Sequence, residues 1–447
     1  MPIDVFDNHF RLSRNSLKRK YFLIFALGII AFFLAVSIGV SWKSAQPIKT
    51  SELPSSPQAV FITSVYTTIK DNYWQVLSDE QLSQLFVQAL SQTYGTQPEL
   101  KEKNLDNLES LVSELVKNNP SADHETLLAQ TTDLVLSSLQ PAGRSRLYSQ
   151  TQTAELRNRV ANRDTQTDLF DSLGVNKTAS DAAVQKAYQE KTTEIEITAS
   201  SAAEKTQQLA EADRAYQALS TTENRERYAE TKVEPTISGK SLANGIFYLK
   251  IKQFSPTTVE DLLQIVKKNQ NQAVGPNLIL DLRGNFGGAI DGLPYFLGPF
   301  IGNNQYAYQF FSQGKTYDFK TKVGWLKEFE PFKRIVVLVD SETQSSAEVM
   351  AATLKKYRAG IVVGTATKGW GTVEKVFPLE NQLSDKTIYS IFLVHSLTLD
   401  EAGNPIEGSG VQPQVAITAS NWKSQLEAYV PDANLINEVA KLVEQTK

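Results

Sequence analysis

The sequence predicts an α/β core in the C-terminal half, with a mixed sheet and crossover helices, preceded by all-α regions and one N-terminal transmembrane helix. From Gly245 onward, short runs rich in β-branched residues alternate with helical stretches, which is the order of an α/β fold. Residues 58–162 place apolar residues three and four positions apart, as amphipathic helices do. Residues 21–41 carry no charge.

The composition is typical of globular material and argues against several kinds of site. A chain of 447 residues with 41% hydrophobic content supports two or three folded units. The net charge of −4 provides no concentrated basic face, so we expect no nucleic-acid partner. With no cysteine and three histidines in the whole chain, we expect no metal centre and no cofactor.

Residues 21–41 are long enough to cross a bilayer as one helix. A cleaved signal peptide would have a shorter apolar region, so an uncleaved anchor is favoured. The tail 1–20 carries five basic residues close to this segment, and such residues stay in the cytoplasm. We therefore expect a single-pass protein of the cytoplasmic membrane, with its N-terminus inside and most of the chain outside. Residues 42–57 have the composition of a linker.

Two helical regions are predicted after the linker. The first covers residues 58–162, and we interpret it as a small helical region that packs against another part of the chain. The second covers residues 165–230 and resembles the J-domains of co-chaperones. The residues that carry this resemblance are Leu173-Gly174-Val175, Ala187-Tyr188, Ala215-Tyr216, Leu219-Ser220 and Arg225 to Tyr228.

The resemblance to J-domains does not extend to their functional tripeptide. It implies His-Pro-Asp in the loop after the second helix, whereas Glu196, Ile197 and Thr198 stand there. We therefore interpret residues 165–230 as a degenerate J-like helical domain that serves docking rather than co-chaperone activity.

Residues 240–418 are predicted to form the α/β core, and residues 419–447 a C-terminal helical segment. Short apolar runs of this kind fit strands that are buried on both faces of a sheet. The predicted strands are 246–251, 277–282, 334–340 and 360–364.

Four motifs in this core carry its resemblance to a known family. They are DLRGNFGG (281–288), SETQSSAE (341–348), GTATKGWGTVE (364–374) and GNPIEGSGVQP (403–413). In this order and spacing they resemble the carboxyl-terminal processing, or tail-specific, serine proteases over roughly residues 245–416. The resemblance implies peptide-bond hydrolysis through an acyl-enzyme, with proteins or peptides as substrates.

Ser345 occupies the position of the nucleophile when the motif is aligned on Glu348. A serine at a strand-to-helix turn presents its hydroxyl at the positive end of the helix, next to free backbone N–H groups. We expect the N–H groups of Ser346, Gly287 and Gly288 to hold the oxyanion, and Arg283 to brace the loop. Taken without its motif, Ser345 would be interpreted as a helix N-cap.

The general-base position departs from the family. The family places a lysine 25 residues after the serine and a glutamine four residues later, and this chain has Trp370 and Glu374 there. An indole cannot accept a proton. Lys368 would project on the same side of an extended segment as residue 370, so it is a candidate displaced base, with a solvated loop charge as the alternative. His395 is a further, less favoured candidate.

Substrate capture also departs from the family, because the J-like unit stands where family members carry a PDZ domain.

Two functions remain open. The first is a membrane-anchored, exported serine endopeptidase that acts on envelope proteins and uses an altered base. The second is a catalytically inactive pseudoprotease that binds peptides or serves as an envelope scaffold. The sequence leaves the oligomeric state open, a homo-oligomer being one option.

Overall fold

The computed structural model describes residues 56–269, 275–329, 332–400 and 402–444. The predicted tail 1–20, the transmembrane segment 21–41 and all but the end of the linker 42–57 lie outside these ranges. Within them, no helix combines the length and the apolar character that crossing a bilayer requires.

A bundle of four helices opens the described chain, and it confirms the predicted helical N-terminal region. Each helix begins at a polar N-cap, Ser56, Ser78, Asn104 or Asp123, whose side chain accepts a backbone N–H of the first turn. The helices are α1 (Pro57–Asn72), α2 (Asp79–Tyr94), α3 (Leu105–Asn118) and α4 (His124–Ser138).

A strand that the helical pattern did not predict leads out of this bundle. Strand β1 (Arg146–Ser149) is followed by helix α5 (Gln150–Val160). It pairs antiparallel with a strand of the C-terminal half, with Arg146 opposite Phe392. The bundle and the C-terminal half consequently share one hydrophobic core, which includes Leu147 and Leu393.

The next unit consists of four helices around its own small core. The helices are α6 (Leu169–Leu173), α7 (Asp181–Thr198), α8 (Ala202–Leu219) and α9 (Thr222–Thr231). Glu196, Ile197 and Thr198 lie in the last turn of α7 rather than in the loop after it. The unit is attached to the C-terminal half by an ion pair at 2.7 Å between Arg227 and Asp261, whose side chains are 13% and 1% exposed.

The C-terminal half is built on a six-stranded mixed sheet, which confirms the predicted α/β core. The strand order is β11-β8-β7-β4-β3-β2, parallel throughout except for the antiparallel pair β2 and β3. The strands are β2 (Ile237–Ser241), β3 (Ile246–Ile251), β4 (Asn277–Asp281), β7 (Arg334–Val339), β8 (Ile361–Gly364) and β11 (Val415–Ala416).

Helices cover this sheet on both sides, because its strands are apolar on both faces. Helices α10, α11 and α12 contribute to the larger core, and α13 and α14 pack with the other face of the sheet. Their bounds are α10 (Thr258–Asn269), α11 (Leu293–Ile301), α12 (Ser346–Lys356), α13 (Trp422–Tyr429) and α14 (Ala433–Glu444).

A second, five-stranded antiparallel sheet joins the core to the N-terminal bundle. Strand β10 pairs with β1, β5 and β9, and β6 pairs with β5. The remaining strands are β5 (Tyr306–Ser312), β6 (Lys315–Lys320), β9 (Thr372–Pro378) and β10 (Tyr389–Leu399). Strand β9 begins two residues after Trp370, so this second sheet helps to position the segment around that residue.

Candidate functional site

Ser345 lies at the turn between β7 and α12, directly before the first helical residue. Its backbone has φ 56° and ψ −125°, a conformation that a residue with a side chain adopts only at a cost of about 1–3 kcal/mol. Its N–H donates to Glu348 Oε2 at 2.8 Å. The Oγ faces the Glu348 N–H in a capping box, but that N–H donates to the backbone carbonyl of Ser345 at 2.8 Å, and no described residue makes a hydrogen bond to Oγ. The turn therefore presents a free hydroxyl, as strained strand-to-helix turns do for nucleophilic serines.

Two backbone N–H groups near this turn are unbonded within the described ranges, those of Gly288 and Ser346. Ser346 is fully buried at the start of α12, where the helix dipole favours negative charge. Its hydroxyl donates to the carbonyl of Gly288 at 3.1 Å, which joins the two residues. Both N–H groups are thus without a partner among the described residues, and their role in holding an oxyanion stays a prediction of the sequence.

Gly287 has a different arrangement from the predicted one. Its N–H donates to Asn285 Oδ1 at 2.8 Å, and that bond would have to break before Gly287 could hold an oxyanion. The absence of a side chain matters instead, because a Cβ at Gly287 would stand 2.6 Å from the Cβ of Ser345. Gly287 therefore allows the glycine loop to approach the serine closely.

Arg283 braces the glycine loop, as predicted. Its guanidinium contacts Asp281 at 2.7 Å and donates to the carbonyl of Leu442 in α14 at 2.7 Å. Burial acts to raise the pKa of Asp281, but the hydrogen bond from Arg283 and the charge of Lys250 hold it below its usual value. The loop is also tied to the serine turn, because Gln344 N–H donates to the carbonyl of Asn285 at 2.9 Å.

Glu348 connects the serine turn with the segment that contains the base position. Its carboxylate is fully buried and accepts four hydrogen bonds. Oε1 accepts from Thr367 Oγ1 at 2.5 Å and from Gly369 N at 2.8 Å, and Oε2 accepts from the N–H groups of Ser345 and Trp370, both at 2.8 Å. Burial raises the pKa of Glu348 although these bonds oppose the shift. In the sequence, Glu348 serves only to align the motif, and its bridging role is not evident there.

Trp370 and Glu374 are hydrogen-bonded to each other. The indole Nε1 donates to Glu374 Oε1 at 3.2 Å, and Thr372 Oγ1 donates to the same oxygen at 2.6 Å. Burial raises the pKa of Glu374 above its usual value, while the two donors and the charge of Arg144 act in the opposite direction. The indole of Trp370 is therefore held next to a carboxylate.

Arg144, which lies outside the four motifs, reaches this pair from the segment before β1. Its guanidinium carbon lies over the Trp370 ring, 3.4 Å from the centroid. Its Nη2 is 2.9 Å from Glu407 Oε1, and Glu407 Oε2 accepts the Gly371 N–H at 2.7 Å. Arg144 is not predicted from the sequence, because a single arginine in a loop gives no pattern that would point to it.

The two bases that the sequence suggests, Lys368 and His395, are each bonded to a residue other than Ser345. Lys368 Nζ is 3.1 Å from Glu342 Oε2 in an ion pair whose lysine side chain is 40% exposed. His395 Nδ1 is bonded to Ser396 Oγ at 2.7 Å, and its ring stacks on Phe377. Burial, together with the charge of Lys375, lowers the pKa of His395 to about 4. Neither residue makes a hydrogen bond to Ser345 in the part of the chain that the structure describes.

Metal-ligating side chains do not gather at this site or elsewhere in the described ranges, where no group of three or more histidine, aspartate or glutamate residues could hold an ion. The chemistry available from the described side chains and main chain is a free hydroxyl, two N–H donors, and buried carboxylates.

Comparisons with known proteins agree with the motif analysis. Residues 245–417 match the model of peptidase family S41. The carboxy-terminal processing protease CtpA of Bacillus subtilis is 30% identical over 181 residues, which cover 40% of this chain and 36% of that protein. A carboxy-terminal-processing protease of Bartonella bacilliformis is 28% identical over 177 residues, 38% of each chain. The chain thus spans less than two fifths of the length of these relatives.

Among solved structures, a photosystem II D1 C-terminal processing protease is similar with a TM-score of 0.46 and 15% identity. The match covers 81% of this chain and 93% of that protein.

Proposed function

We propose, on the premise that the C-terminal half contains a peptidase family S41 domain, that this protein is a serine peptidase of the carboxyl-terminal processing type that acts on protein substrates. We further propose that residues 21–41 anchor it in the cytoplasmic membrane and that its substrates are envelope proteins. The motivation for the anchor is the length and apolar character of that segment.

The observation that carries this proposal is the backbone of Ser345. A φ of 56° and a ψ of −125° at a residue with a side chain persist only where the surrounding structure enforces them. The geometry leaves the hydroxyl free, next to the unbonded N–H groups of Gly288 and Ser346. In the proposed reaction, Ser345 Oγ attacks the peptide carbonyl carbon, and these two N–H groups bind the resulting oxyanion.

A second candidate function is supported by the base position itself. Trp370 cannot take a proton, and Lys368 would have to leave Glu342 and its exposed position to reach the serine. If no group accepts the proton of Ser345, the domain would bind peptides without cleaving them, and the protein would act as an envelope scaffold. This is the pseudoprotease hypothesis.

Labelling by a fluorophosphonate probe separates the two functions. The full chain, purified in detergent, is compared with Ser345→Ala and with Ser341→Ala, an exposed serine of the same turn. We expect labelling and casein cleavage by the native chain and by Ser341→Ala, and neither by Ser345→Ala. If the native chain shows no more labelling or cleavage than Ser345→Ala, the peptidase proposal is wrong and the pseudoprotease hypothesis replaces it.

A further inference from the structure

One carboxylate oxygen next to the base position has no hydrogen-bond partner. Both donors that reach Glu374, the indole of Trp370 and the hydroxyl of Thr372, bond to Oε1. Oε2 makes no hydrogen bond to any described residue. A free carboxylate oxygen that is held in place through its neighbouring oxygen is oriented for accepting a proton.

The segment that carries this pair is bound directly to the nucleophile turn. Ser345 N–H and Trp370 N–H both donate to Glu348 Oε2 at 2.8 Å, so the two backbones meet at a single oxygen atom. The indole of Trp370 extends from this junction to Glu374. The carboxylate of Glu374 therefore lies one side chain away from the serine turn, while Lys368 is paired with Glu342.

The charged groups around Glu374 come from three parts of the chain. Arg144 lies over the indole and is paired with Glu407. Glu348 is the carboxylate at the turn, and on β10 the residue opposite Glu374 is the apolar Val394. His395, the next residue of β10, contacts Phe377. Burial raises the pKa of Glu374, and the positive charge of Arg144 acts to lower it.

We propose that Glu374 is the proton acceptor for Ser345, acting from Oε2 through a bridging water. This inference rests on the proposed peptidase function and adds the missing group to it. As Ser345 Oγ bonds to the carbonyl carbon, its proton passes to Glu374 and the carbonyl π electrons move to the oxygen held by Gly288 and Ser346. The carboxylic acid of Glu374 then protonates the leaving amine when the C–N bond breaks. A water molecule then attacks the acyl carbon in the same way, with Glu374 accepting its proton. The bond to Ser345 Oγ breaks, and the acyl group is released.

The rate of fluorophosphonate labelling between pH 5 and pH 9 tests this role. Glu374→Gln keeps the shape and the acceptor oxygen but cannot take a proton, so we expect labelling to fall about 100-fold or more. Glu380→Gln, an exposed glutamate after the same strand, serves as the matched control and should label at the native rate. In Glu374→Ala, added formate should restore part of the labelling, which a merely structural role would not produce.

The charge of Arg144 supplies a second readout. Arg144→Met removes the positive charge near Glu374, so the pH at which labelling begins to rise should move upward. Equal labelling of Glu374→Gln and the native chain would overturn the Glu374 proposal and leave the peptidase intact. Loss of labelling in Lys368→Ala, with normal labelling in Glu374→Gln, would also overturn it, because Lys368 would then be the proton acceptor. Absence of Ser345-dependent labelling in the native chain would remove both proposals together.

Discussion

The guanidinium carbon of Arg144 lies over the indole of Trp370, 3.4 Å from the ring centroid. The arginine belongs to the segment before β1, and the tryptophan precedes β9 in the motif region. Because Arg144 is also paired with Glu407, which accepts the Gly371 N–H, it helps Glu348 to position the segment around Trp370.

Arg144→Ala should therefore lower the free energy of unfolding and loosen the segment around Trp370. The ion pair and the stacking contact are largely buried, with side-chain exposures of 17% and 15% for Arg144 and Glu407. We expect the free energy of unfolding to fall by about 2 kcal/mol, below the full cost for a completely buried pair. Arg146→Ala is the control, since Arg146 pairs with Asp133 while 51% exposed and should cost less than about 1 kcal/mol. Urea denaturation measures both, and equal losses would contradict the prediction.

Gly287→Ala should abolish labelling of Ser345. A Cβ there would meet the Cβ of Ser345 at 2.6 Å, and φ of +88° is already unfavourable for alanine. The serine would have to move away from the N–H groups of Gly288 and Ser346. Gly292→Ala, where a Cβ meets nothing within 4 Å, should label normally. The rate of probe labelling is the measurement, and normal labelling of Gly287→Ala would show that the close approach is unnecessary.

Placing a lysine at position 370 should give faster labelling of Ser345 when Glu374 is also changed to Gln. In Trp370→Lys the neighbouring carboxylate favours the ammonium form and raises the lysine pKa, which leaves less of the neutral amine. In Trp370→Lys with Glu374→Gln this effect is absent, so labelling should be about tenfold faster at pH 8 and should rise with pH.

The native chain, assayed in parallel, gives the reference for this pair of variants. A native chain without activity and a double variant with activity would support the pseudoprotease hypothesis. A single variant as fast as the double variant would contradict the electrostatic argument.

The ion pair between Arg227 and Asp261 should be essential for holding the helical unit to the core. Asp261 is 1% exposed, and its other oxygen accepts from Thr236 N–H at 2.7 Å. Asp261→Ala leaves Arg227 buried without its partner at 2.7 Å, and we expect the free energy of unfolding to fall by about 3 kcal/mol. Glu260→Ala is the neighbouring control, since Glu260 is 57% exposed and 3.8 Å from the same arginine. Its loss should be below about 1 kcal/mol, and thermal unfolding of both variants checks the difference.

The parts of this molecule that the sequence predicts well are those with local patterns. The run 246–251 coincides with β3, because strands buried on both faces need continuous apolar residues. The spacing of the motifs places Ser345 at the turn, since a strand-to-helix turn is built from neighbouring residues. The place of Ser345 at the turn, directly before α12, is therefore within reach of the sequence.

The remaining features arise from contacts between distant residues. Strand β1 has four residues, too few for an alternating pattern, and is stabilised by β10 more than 240 residues later. Arg144 and Glu407 meet across a similar distance in the chain. The second oxygen of Glu348 joins two N–H groups that are 25 residues apart. None of these pairings leaves a periodic trace in the sequence.

The pairing of β1 with β10 has a practical consequence for dissecting the protein. A fragment restricted to residues 240–418 would lose β1, and residues 389–392 of β10 would become an open sheet edge. It would also uncover Leu393 and Val394, which the N-terminal bundle covers in the intact chain. Open edges beside apolar surface recruit other chains. The peptidase-like half should therefore aggregate when expressed alone and become soluble when the bundle is co-expressed with it.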